Sequence, residues 1–210
     1  MNVLAVGAHF DDIELGCGGT LARHVRRGDN VTVYVATHSG YSNPSGRVIR
    51  ARDVARREGE MAAEILGVNL LAGDWETNQL IFSDPLVCSV LSIVEEYEVD
   101  TLYTHWTDDA HQDHRALGRA CIVAGKHVPR VLMYQSNFYD AGEPFVGTFY
   151  VDISATVDKK KEAIAAHVSE LERVEGRWQD VFINKCAVDG YKVGTAYAEA
   201  FQVVKYLEPL

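Results

Sequence analysis

Val3-Leu4-Ala5-Val6-Gly7-Ala8-His9-Phe10-Asp11-Asp12-Ile13-Glu14 lies at the start of the chain. Its first five residues form an apolar run of the length expected for a strand buried on both faces. Asn2–Ala8 therefore reads as strand, and Glu14–Arg27 as a helix closed by Gly28. Three carboxylates and an imidazole sit where the strand gives way to the helix. Charge is costly at such a place unless something cationic is bound there. A second cluster, Asp109-Ala110-His111-Gln112-Asp113-His114, follows another strand-like run, Thr101–Thr104. Two His/Asp clusters, each beyond the C-terminal end of a strand, are the parts of one metal site in an α/β fold.

Working outward, strand and helix signals alternate. Asn30–Thr37 is β-rich, 38–47 is loop, and Val48–Leu66 reads as one long helix ending at Gly67. Val68–Ala72 reads as strand. Pro85–Tyr97 reads as helix, with Asp84 as N-cap before a first-turn proline. His111–Gly125 is helical and Arg130–Gln135 a strand. Thr148–Ile153 reads as strand, Ala155–Arg173 as helix and Tyr197–Tyr206 as a late strand. The run Lys159-Lys160-Lys161-Glu162 reads as a solvated helix face. The alternation predicts right-handed βαβ units: a Rossmann-like α/β fold, mainly parallel, with helices on both faces. Residues 1–210 read as a single domain, long enough for a sizeable core.

Composition narrows the class of function. The formal charge of −10 argues against non-specific binding to nucleic acid or an anionic membrane surface. Nothing at the N-terminus resembles a signal peptide and no apolar run approaches membrane-spanning length, so a cytoplasmic protein is expected. The four cysteines, Cys17, Cys88, Cys121 and Cys186, form no CxxC pair, and Cys17 and Cys121 read as buried apolar residues. His24 and His127, near helix ends, read as surface residues. His38 and His105 follow strands and could line a pocket.

His9 and Asp12 are three apart where strand turns into helix, and His111 and His114 share that spacing at the start of another helix. A catalytic zinc site needs three N or O ligands and one open position for water. His9, Asp12 and His114 would supply such a set. Asp11 would then stand beside the attacking water as a proton acceptor. His111 could donate to a developing oxyanion or protonate a leaving amine, and Asp113 could orient an imidazole. These parts suit hydrolysis of an amide or ester. Either cluster alone would equally read as structural, with Asp11, Asp12 or Asp113 capping a helix.

Ala8-His9-Phe10-Asp11-Asp12-Ile13-Glu14 resembles the AHPDDxE signature of the PIG-L/LmbE-like N-acetylglucosaminyl deacetylases. Asp109-x-His111-x-Asp113-His114 resembles their second signature. Further segments follow in the family's order: Glu58–Val68, Val151–Ser154, the run from Lys161 through His167 and Ser169, and Tyr197–Phe201. The resemblance implies a Rossmann-like fold, a divalent metal, and removal of an N-acetyl group from an amino sugar or its conjugate. The metal is usually zinc (Zn2+), with others such as Fe2+ admitted. It implies His9, Asp12 and His114 as ligands, Asp11 as general base, His111 as electrostatic catalyst or acid, and Asp113 as the orienting carboxylate. Phe10 departs from the usual proline and Glu170 from the usual glutamine.

The partner expected is a small amino-sugar substrate. Neither nucleic acid nor membrane is expected, and a homo-oligomer is compatible with the chain. The glycine- and serine-rich loop 38–47 is a candidate substrate loop, with Tyr41 and Arg47 as contacts. Among the arginines at 47, 50, 52, 56 and 57 there is room for an anion clamp, although most read as a solvated helix face. Gly16-Cys17-Gly18-Gly19 is glycine-rich but fails GxGxxG, and no acidic residue ends the second strand to hold a ribose. These glycines read as letting the first helix pack closely on the sheet.

Overall fold

The computed structural model describes residues 1–139 and 142–208. In chain order the elements are β1 (Asn2–Gly7), α1 (Asp12–Arg26), β2 (Asn30–Thr37), β3 (Tyr41–Ser42), β4 (Val48–Arg50), α2 (Arg52–Leu66), β5 (Asn69–Trp75) and α3 (Asp84–Glu96). There follow β6 (Thr101–His105), α4 (Gln112–Ala124), β7 (Arg130–Tyr134), β8 (Phe149–Asp152), α5 (Val157–Ala165), α6 (Val168–Arg173), α7 (Arg177–Val193) and β9 (Ala198–Tyr206). One sheet has the order β5-β2-β1-β6-β7-β9-β8. Its first five strands are parallel, and β9 runs antiparallel between β7 and β8.

Both faces of β1 are buried, as its unbroken apolar run requires. Val3 and Ala5 join a core with Ile13, Cys17, Leu21 and Ile183, whereas Leu4 and Val6 join one with Leu86, Val90 and Leu117. Helices α1 and α7 therefore cover one face, and α3 and α4 the other. Tight approach of α1 depends on its glycines. A Cβ on Gly16 would collide with the Tyr134 ring, and one on Gly19 with Ile153. Successive strands leave β1 in one direction and then return to its other side at β6, so the topological switch lies between β1 and β6. Both His/Asp clusters sit there.

Several local expectations are corrected. The helix expected from Val48 begins at Arg52, because residues 48–50 pair antiparallel with Tyr41–Ser42 as a short hairpin. Asp84 lies inside α3, whose N-cap is Ser83 without a side-chain cap bond. Ala155–Arg173 is two helices, broken where His167 takes φ −83°, ψ 61°. Lys160 is fully buried rather than solvated. Its ammonium donates to the Leu15 carbonyl at 2.7 Å and to Glu199 at 2.6 Å, which replaces the lost water. His24 is buried too, between Asp29 (2.7 Å) and the Tyr103 hydroxyl (3.0 Å). Helix α7 has no counterpart in the sequence pattern. Cys17, Cys121 and Cys186 are buried, Cys88 is exposed, and all four are free.

Candidate active site

The β1–α1 and β6–α4 connections converge on one cavity of about 470 Å³. His9, Asp11, Asp12, His111 and His114 line it, and Asp113 stands directly behind His9. The structure thus brings together all six residues expected in the site. Tyr41 also lines the cavity, through a hydroxyl that donates to Glu170 at 2.9 Å. Arg47 does not reach it. Arg47 is exposed in the hairpin turn, where its main-chain N–H donates to the Asn43 side chain. Phe10 stays out as well: its ring is buried against Gly59 of α2.

Hydrogen bonds assign the imidazole tautomers. His9 Nε2 faces Asp113 Oδ2 at 3.0 Å, which leaves the Nδ1 lone pair for the cavity. Asp113 is itself pinned by the main-chain N–H groups of Asn78 (2.7 Å) and Leu80 (3.0 Å). His114 Nδ1 lies 3.1 Å from Asp109 Oδ2, and neither buried atom has another partner, which leaves the His114 Nε2 lone pair for the cavity. His105, stacked on His114, is already engaged, because its Nε2 accepts from the Ala8 N–H at 3.0 Å. His111 Nδ1 likewise accepts from the Asp113 N–H, so in the neutral ring its Nε2 carries the hydrogen.

Three candidate ligand groups therefore converge. His9 Nδ1 and Asp12 Oδ2 are 3.2 Å apart, His114 Nε2 and Asp12 Oδ1 3.2 Å, and His9 Nδ1 and His114 Nε2 3.3 Å. Donors around a tetrahedral ion with bonds of about 2.0–2.1 Å are separated by about 3.3 Å. Asp12 reaches the two imidazoles with different oxygens, and His114 also belongs to compact donor groups with His9 and His111 and with Asp12 and His105, so the cluster fits a small divalent cation with Asp109 and Asp113 behind its imidazoles.

Without a cation, the acidic groups favour positive charge on the imidazoles themselves. Burial alone would lower His9 and His114, yet Asp12 and the hydrogen-bonded carboxylates raise them to about 10 and about 9. Burial opposes the ionised form of Asp12, but His114, His105 and His9 hold it well below the usual carboxylate range. This cluster demands positive charge. Burial lifts Asp11 to about 7, against the pull of Arg50 and with Asp12 adding to the rise. Burial, then His114 and His9, hold His111 down to about 4.

Other residues around the cluster are not singled out as site residues by the sequence. Ser136, just past β7, donates to Asp12 Oδ1 at 3.0 Å. Asn137, beside it, donates to Asp109. Both follow the rule that revealed the two clusters, since they lie immediately beyond a strand's C-terminal end. Glu170, Arg173 and Trp178 form the opposite wall and carry no such signal. Of the arginines, Arg52, Arg56 and Arg57 are exposed on α2, whereas Arg50 is buried beside Asp11.

Known proteins place the chain in context. A family model described as PIG-L, GlcNAc-PI de-N-acetylase, matches residues 4–124. The uncharacterized deacetylase YaiS of Escherichia coli (strain K12) is 33% identical over 147 aligned positions, covering 64% of this chain and 73% of that protein. The diacetylchitobiose deacetylase of Thermococcus kodakarensis is 25% identical over 225 aligned positions, covering 96% and 82%. A crystal structure of a conserved protein from Thermus thermophilus superposes with a TM-score of 0.83 at 24% identity, covering 99% of this chain and 96% of that one.

Proposed function

Since the chain belongs to the PIG-L family, we propose that it is a metal-dependent hydrolase that removes the N-acetyl group from an N-acetylglucosamine-type sugar or its conjugate. The observation that carries this reading is the convergence of His9 Nδ1, the Asp12 carboxylate and His114 Nε2 within 3.2–3.3 Å of one another, beside a fourth group, Asp11, that is left outside the set. These three residues would hold the cation, with zinc the natural occupant of two nitrogens and one carboxylate oxygen. A divalent cation there polarises a carbonyl and makes water more acidic.

The chain's own groups account for the rest. Asp11, lifted to about 7, accepts a proton from the attacking water in its ionised form. The water oxygen bonds to the acetyl carbon, and negative charge collects on the carbonyl oxygen. Neutral His111, with its hydrogen on Nε2, would serve that oxygen as a hydrogen-bond donor. The C–N bond then breaks, the proton held on Asp11 passes to the amine, and acetic acid leaves, losing its remaining proton to solvent as acetate. Asp113 keeps His9 in the tautomer the cluster needs. Tyr41, Glu170, Arg173 and Trp178 offer the hydroxyl, carboxylate, guanidinium and aromatic face that a sugar ring uses. The diacetylchitobiose deacetylase relative supports an acetamido sugar as the substrate class.

Acetate release by metal-loaded protein tests the proposal. N-acetylglucosamine, its glycosides and its nucleotide-linked forms should be assayed beside a simple ester and a peptide amide. Release of acetate from at least one acetamido sugar is expected. Turnover of the ester or peptide amide alone would overturn the sugar assignment.

A further inference from the structure

Arg50 ends β4 with a side chain 2% exposed, although its neighbours Val48 and Ile49 face solvent. A buried guanidinium at the end of an exposed hairpin must be held by specific partners. Nη1 donates to the Phe10 carbonyl at 2.9 Å and to Asp11 Oδ2 at 3.4 Å. Nη2 donates to Glu58 Oε2 at 2.8 Å and lies 3.3 Å from His167 Nδ1. One terminal nitrogen thus grips the main chain and side chain of consecutive residues. The other is anchored on α2 and on the break between α5 and α6. Glu58 is fixed in turn by Ser169, whose N–H and hydroxyl both donate at 2.7 Å.

Asp11 needs such a grip. Its φ of 132° is one that residues with a side chain rarely adopt, and its carboxylate makes no cap bond to α1. Among the described residues, Arg50 makes the only hydrogen bond to the Asp11 carboxylate. Arg50 also has a partner across the hairpin in Tyr41, whose hydroxyl stands on the opposite wall of the cavity. We infer that Arg50 is a positioning residue for Asp11, clamping the Phe10 carbonyl and the Asp11 carboxylate so that the base faces the substrate. This rests on the reading of Asp11 as the base. Arg50 then acts through Asp11: it lines the cavity, but its terminal nitrogens are taken by Phe10, Asp11, Glu58 and His167, and its buried Nε stands 3.9 Å from the Glu170 carboxylate, which disfavours a substrate anion there.

The test is a kinetic cycle of Arg50→Met, Asp11→Asn and the double variant, with metal content measured for each. Arg50→Met should lower kcat about 10²-fold, the scale of a misplaced catalytic group, with little change in KM and full metal content. Arg50→Lys should stay impaired, because a single ammonium cannot span Phe10, Asp11 and Glu58 at once. In the Asp11→Asn background the Arg50 substitution should cost nothing further. A raised KM with kcat intact, or losses that multiply in the double variant, would overturn the inference. If Arg50→Met does not fold, Arg50→Lys enters the cycle in its place. Crystal structures add an arm independent of turnover: Asp11 should shift or change rotamer in the Arg50 variant, and an unmoved Asp11 would overturn the inference. Wild-type protein that releases no acetate from any acetamido sugar speaks against the proposed reaction instead.

Discussion

Asp12 is the hub of the site at the scale of single residues. Its two oxygens approach His9, His105 and His114, and they also accept from the His9 N–H and the Ser136 hydroxyl. Asp11, next in the chain, points elsewhere and touches Arg50. Adjacent carboxylates with separate partners should have separable losses. Asp11→Asn should lower kcat by about 10²–10⁴ while metal content by elemental analysis stays at the wild-type level. His114→Ala should instead lose the metal together with the activity. Full metal occupancy in that variant would remove His114 from the ligand set. Asp113→Asn falls between the two. The amide cannot hold His9 in its present tautomer as firmly, and metal affinity from chelator competition should drop about 10–100-fold.

Elements carry the next set of consequences. Glu58 ties α2 to α6 through Ser169 and ties both to β4 through Arg50. Burial alone would raise its pKa, but the Ser169 and Arg50 hydrogen bonds hold it below the usual carboxylate value. A depressed folded pKa contributes stability above the unfolded value, and this is lost as pH falls through the folded one. The difference in thermal midpoint between wild type and Glu58→Gln should therefore be full near neutrality and shrink in acid. A difference independent of pH would count against the charge of Glu58. On α5, Lys160 joins Glu199 of β9 to the Leu15 carbonyl of α1. Glu199 also accepts from the Gly19 and Thr20 N–H groups. Lys160→Met strands that carboxylate in the core, so urea unfolding should show a loss of about 3–5 kcal/mol.

For the whole molecule, the arrangement of strands accounts for the position of the site. The order β5-β2-β1-β6-β7 places the ends of β1, β6 and β7 side by side, so Ala8–Asp12, Asp109–His114 and Ser136–Asn137 meet although they are far apart in sequence. A cation bound to the folded state alone draws the equilibrium toward it. Zinc in excess should raise the midpoint of metal-stripped wild type and leave that of His114→Ala nearly unchanged. Among the described residues no helix is long and apolar enough to cross a membrane.

The sequence by itself determined the parallel core, because a strand buried on both faces reads as an unbroken apolar run and Val3–Val6 is one. It also determined both signature clusters, because their residue types and close spacing are read directly along the chain. That information is local, and local information survives in one dimension. The tertiary structure alone decided which arginine reaches the site. Arg47 and Arg50 are three residues apart, and only the register of a hairpin buries one and exposes the other. It decided that Lys160 is buried while its neighbours are not, because Glu199, 39 residues away, supplies the compensating charge. It also decided the far wall, where Glu170 and Arg173 follow the break at His167 and Trp178 follows a second one at Glu175–Gly176. Burial of charge depends on a partner, and a partner distant in sequence is visible only once the chain has folded.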